Sequence, residues 1–115
     1  MRVVSLHHVN ITVRDLDEAF DFYVRVLGLT MQGDGPLGVR RWLEAGSQEI
    51  HLNLGEPPDD RGQHFALEVD DLDAFVIGLK RKDIAVLGLE EMVAQGQVVV
   101  HDPSGNRIEL RCRRT

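Results

Sequence analysis

The chain has 115 residues, 43% hydrophobic, 28% charged and only 5% aromatic, and carries a formal net charge of −6. That balance predicts one globular domain with an aliphatic core, and excludes a disordered chain. Acid spread through the sequence argues against nucleic acid, whose phosphates need a concentrated basic surface, and no apolar run reaches the roughly 20 residues that span a bilayer.

At the N-terminus, His7, His8 and Asn10 interrupt the apolar residues too early for a secretory signal. Val9, Ile11 and Val13 then alternate with His8, Asn10 and Thr12, the period of a half-buried strand. Asp17 suits a helix N-cap, and Phe20, Tyr23, Val24 and Leu27 recur as one buried helical face, stopped by Gly28. Further strands are predicted over 29–32, 39–44 and 49–54. Gly33-Asp34-Gly35-Pro36 and Gly46-Ser47 form the turns between them. Prolines and charges mark 56–61 as a linker that closes a first module, 1–55. In the second module, 62–115, Phe65, Leu67 and Val69 alternate with His64, Ala66 and Glu68. Asp73 takes the capping position of a second helix, with Val76 and Leu79 inward. Gly78 inside it costs about 1 kcal/mol relative to alanine. Strands follow over 85–87, 97–101 and 107–111, the last two joined by Asp102-Pro103-Ser104-Gly105-Asn106. Arg111, Arg113 and Arg114 read as a solvated tail. The single cysteine, Cys112, forms no internal disulfide, so the cytoplasm is the expected compartment.

The two modules are copies of one pattern. His8-Val9-Asn10-Ile11-Thr12-Val13-Arg14-Asp15-Leu16-Asp17 matches the run from His64 to Asp73 at a constant offset of 56 residues. Ile50-His51-Leu52 matches Ile108-Glu109-Leu110 at an offset of 58. Each module is therefore a β-α-β-β-β unit, and the fold class is α+β, two such modules in tandem.

Strand parity sorts the polar residues. Ile50, Leu52, Ile108 and Leu110 must face the helices, which turns His51, Asn53, Arg107 and Glu109 the other way, together with His8, Asn10 and His64. Three imidazoles and one carboxylate at repeat-equivalent positions suit one divalent ion, Zn, Fe, Ni, Co or Mn, held by His8, His51, His64 and Glu109. His7 and His101 read as surface residues. Asn10, Asn53 and Arg107 share the metal-facing parity and are candidate substrate contacts; Trp42 is a candidate pocket wall.

These residues resemble the vicinal oxygen chelate superfamily, which includes glyoxalase I, extradiol dioxygenases and bleomycin-binding proteins. The likeness rests on His8-Val9, Asp15-Leu16-Asp17, Phe22-Tyr23 and Leu27-Gly28. In the second half it rests on Gln63-His64-Phe65-Ala66, Val69-Asp70-Asp71-Leu72 and Asp102 to Asn106 leading into Ile108-Glu109-Leu110. It implies a curved mixed sheet around a metal-binding cup, with ligands at His8, His64 and Glu109. The remaining position, glutamate in glyoxalase I, falls on His51. The resemblance also implies a homodimer acting on a small molecule. The leading expectation is a metal-dependent isomerase or lyase of the glyoxalase type, with Glu109 moving a proton. The alternatives are ring-opening dioxygenation, or a binding or resistance protein that does no chemistry. No nucleic acid and no membrane partner is expected.

Overall fold

The fold follows from one local device used twice: a strand runs into an aspartate that caps a helix. In the computed structural model, which describes residues 1–31, 42–88 and 95–112, strand β1 spans His8–Val13 and helix α1 spans Leu16–Phe20. Asp15 caps α1, not Asp17: its backbone is extended, and its carboxylate accepts from the Glu18 amide at 2.9 Å. Helix α2, Leu72–Arg81, is capped in the same way by Asp71 instead of Asp73, with the Ala74 amide at 3.0 Å. The extended backbone of each strand runs as far as the first aspartate of the Asp-Leu-Asp triplet. Only that residue has the conformation from which a side chain reaches the third amide of the helix. Asp17 and Asp73 lie in the first turns, where a negative charge meets the positive end of the helix dipole.

The first helix also departs from a plain 3.6-residue period. After Phe20 it widens into a π-helical segment, Asp21–Val26, with the Leu27 amide bonded to the Phe22 carbonyl at 2.9 Å. Ala19, Phe22, Tyr23 and Leu27 are buried, whereas Phe20 and Val24 are only half-buried. Gly28, at φ 82°, then takes the left-handed position that ends the segment.

Two compact units result, Met1–Pro58 and Asp59–Thr115. In the first, β2 (Thr30–Met31), β3 (Trp42–Ala45) and β4 (Gln48–Leu54) join β1 in a four-stranded sheet of order β1-β4-β3-β2. In the second, β5 (Phe65–Val69), β6 (Gln97–His101) and β7 (Arg107–Cys112) form a three-stranded sheet of order β5-β7-β6. Both sheets are mixed. The first and last strands of each unit pair in parallel, β1 with β4 and β5 with β7, and the remaining pairs are antiparallel. The α+β architecture of repeated modules is thus present, as two hydrogen-bonded sheets.

The strand expected over 85–87 shrinks to a single bridge, Leu87 with Val99, closed by two backbone bonds of 2.8 and 2.7 Å. The turn at 33–36, the first residues of the strand expected over 39–44, and Arg113 and Arg114 lie outside the described residues. Burial alternates along the central strands: Ile50, Leu52, Ile108 and Leu110 are at most 2% exposed. Each such aliphatic side chain stabilises its unit by about 1.5–3 kcal/mol. The intervening residues are left on the opposite face.

Candidate metal centre

In the first unit the parallel register sets Asn10 against His51 and His8 against Glu49. The His8 and His51 rings stack, centroids 4.0 Å apart and planes 14° from parallel. Across the other edge of β4, Trp42 is the cross-strand partner of His51 and stacks on it at 5.0 Å and 17°. The strand order places β4 between β1 and β3, so the His51 ring lies between His8 and Trp42. His51 Nε2 meets Glu49 Oε1 at 2.8 Å, with only 15% and 19% of the two side chains exposed. His8 is exposed, and its Nδ1 meets Nδ1 of His7 at 2.9 Å, one ring donating and the other accepting. Asn10 and Asn53 are exposed on the same face of these strands.

In the second unit His64 stands immediately before β5, one residue outside the strand that the alternation predicts for it. Its Nδ1 donates to the Gly62 carbonyl at 2.8 Å. A carbonyl only accepts, so the proton sits on Nδ1 and the lone pair on Nε2. Glu109 pairs with Ala66 on one side and Val99 on the other, half-buried, with Arg111 Nη1 4.0 Å from Oε2.

Arg107 is committed to a partner that sequence reading missed. Asp60 Oδ2 accepts from its Nη2 at 2.9 Å and its Nε at 3.1 Å, while His101 Nε2 stands 3.6 Å from the same oxygen. The Gly62 amide donates to Asp60 Oδ1 at 2.9 Å. That amide foremost holds the Asp60 carboxyl below its usual range; desolvation, the next largest effect, opposes it, and the Arg107 guanidinium and His101 add to the lowering. No local sequence signal marks Asp60 as that partner; His101 is brought beside it because it faces Arg107 across the β6–β7 pair.

Within each unit, among the described residues, no three His, Cys, Asp or Glu side chains gather as a metal-ligand group. The first unit holds the candidate donors His8 and His51, and the second holds His64 and Glu109. In kind, imidazole nitrogens with one carboxylate oxygen fit a borderline divalent cation. His8 and His64, equivalent in the repeat, also agree in detail: in both, Nδ1 is taken by a hydrogen bond. His51 differs, with Nε2 taken. An open cleft of about 430 Å³ along α2, lined by Leu72, Val76, Ile77, Leu87 and Val98, includes neither His64 nor Glu109.

A sequence profile of the glyoxalase/bleomycin resistance protein/dioxygenase superfamily matches residues 5–110. The chain belongs to that superfamily. A protein of Arabidopsis thaliana named Glyoxylase I 4 is 26% identical, over 96% of this chain and 71% of its own length. Among solved structures, one assigned to the glyoxalase family, from Bacillus anthracis, is 26% identical with a TM-score of 0.84, covering 99% of this chain and 100% of its own. TnmS3, an antibiotic-binding protein from Streptomyces sp. CB03234, is 28% identical with a TM-score of 0.78, covering 99% of both chains. The superfamily thus includes both enzymes and proteins that bind small molecules, and its members commonly use a divalent metal. No helix among the described residues is long and apolar enough to cross a membrane.

Proposed function

We propose that the chain is a divalent-metal-dependent enzyme of the glyoxalase type, an isomerase or lyase acting on a small substrate with neighbouring oxygens. The whole of 1–115 is read as one domain, its two modules joined by the linker 56–61. The carrying observation is the matched pair His8 and His64, each with Nδ1 in a hydrogen bond and Nε2 outside it. Metal-binding histidines commonly donate their second ring N–H to a carbonyl or carboxylate, as His64 does to Gly62. Donors to the cation are drawn from His8, His51, His64 and Glu109. Zn, Fe, Ni, Co and Mn all suit that chemistry.

A divalent cation held by these donors would supply Lewis-acid stabilisation of negative charge developing on the substrate oxygens. Glu109 is the residue for proton transfer, since a half-buried carboxylate is well suited to accept a proton from a substrate carbon. Asn10 and Asn53 offer amides to polar substrate groups, and Trp42 offers an apolar wall. Arg107 presents a guanidinium already braced by Asp60. A homodimer is the assembly proposed, to be read by sedimentation.

The test is elemental analysis of protein purified without chelators, then a screen of metal-loaded protein against α-keto thiol hemiacetals, epimerisable acyl thioesters and catechols. Turnover that falls at least 100-fold in His64→Ala and in Glu109→Ala supports the enzyme. Turnover of catechols alone would reassign the reaction to ring-opening dioxygenation. The likeness to TnmS3 favours a second reading, capture of a small molecule without chemistry. That reading requires no turnover anywhere in the screen and ligand affinity that survives both substitutions.

A further inference from the structure

We propose that His51 does not bind the cation but is the shelf that orients His8. This rests on the metal reading above and removes His51 from its candidate donors. An imidazole lone pair lies in the plane of its ring, and a bound ion sits in that plane, about 2.0–2.1 Å from the nitrogen. The His8 and His51 planes are 14° from parallel with centroids 4.0 Å apart. Rings in face contact stand ~3.5–4 Å apart, so an ion midway would lie nearly 2 Å out of both planes. The two lone pairs therefore cannot meet at one ion while the stack holds.

Three contacts hold His51 in place. Trp42 covers one face, His8 covers the other, and Glu49 binds Nε2 at 2.8 Å. His8 is the exposed member of the pair, and it is His8 that shares with His64 the pattern of an engaged Nδ1. Stacking on a fixed ring restricts rotation of the His8 imidazole about its side-chain bonds. That lowers the entropy lost when the ring binds an ion. His51 is accordingly a positioning residue.

The experiment measures cobalt(II) affinity of the full chain by competition, and counts coordinated imidazoles by X-ray absorption. Cobalt-loaded wild type should show two imidazoles; three would overturn the proposal without any variant. His51→Phe keeps a flat ring but has no nitrogen, and should bind cobalt within about threefold of wild type with an unchanged imidazole count. His51→Ala loses the shelf and should weaken binding by 10–100-fold, the range expected for a residue that orients a ligand. His8→Ala should abolish binding. His51→Phe as damaging as His8→Ala refutes the shelf, as does a His51→Phe spectrum short of one imidazole. Wild type that takes up no cobalt, nickel or zinc defeats the metal reading itself, a result distinct from either.

Discussion

Replacing Asp102 with alanine should destabilise the protein by about 4 kcal/mol, although the residue lies in a turn. Asp102 is 4% exposed, and its Oδ1 accepts from the Ser104 and Asn106 amides at 2.9 and 2.8 Å. Its Oδ2 accepts from Asn106 Nδ2 at 2.9 Å. Alanine leaves the two backbone amides without their acceptor, at about 1–3 kcal/mol each, and forfeits a charge-assisted bond to Asn106 besides. For a chain of this length the entropy of unfolding is roughly 0.24 kcal/mol/K, so the melting temperature should fall by about 17 °C. Asp102→Asn keeps the shape but sets an NH2 group among donors, and should lose about half as much. Calorimetry, with urea unfolding followed by circular dichroism, reads both variants. A fall of less than about 4 °C in Asp102→Ala would refute the view that this carboxylate holds the turn from which β7 and Glu109 start.

Gly78→Ala should stabilise the chain by about 1 kcal/mol, or ~4 °C, because a Cβ there meets nothing within 4 Å and the site is interior to α2; an unchanged or lower melting temperature would contradict this. Asp60 gives a pH dependence. Its carboxyl is depressed in the folded chain, so the stability it contributes is fully present above the unfolded value near 3.9. That stability is lost as pH falls through the lower, folded value. Asp60→Asn should therefore be less stable than wild type at neutral pH, by a margin that is flat above about pH 5 and narrows below about pH 4. Urea midpoints across that range check it, and a margin that widens on acidification would reverse the sign of the reasoning.

Much of the fold could be read along the chain because its signals are local. Alternation at Val9, Ile11 and Val13 and around Ile50 and Leu52 reports which face of a strand is apolar, and burial agrees with it. Helix existence was likewise legible, but the caps were displaced by two residues in both halves. Asp15 and Asp17, like Asp71 and Asp73, differ only in backbone conformation, which composition does not record. The π-helical step at Asp21–Val26 was hidden for a related reason. Periodicity assumes i→i−4 bonding throughout, whereas here the Leu27 amide bonds the Phe22 carbonyl, and Ala19 and Phe22 are buried while Phe20 and Val24 are only half-buried. The weak strand over 85–87 failed because short apolar runs carry too few ladder bonds to identify themselves.

The residue types of the candidate centre, their repeat equivalence and the face that each strand residue takes on its own sheet are properties of sequence, since side-chain parity on a strand depends only on residue number. Which nitrogen each histidine offers is not. That depends on the Gly62 carbonyl beside His64, on Glu49 beside His51, and on Trp42 and His8 flanking the His51 ring. It likewise took tertiary structure to bring Asp60 onto Arg107, forty-seven residues away in the chain. Contacts of that kind depend on strand order and register, which arise only when distant segments pair.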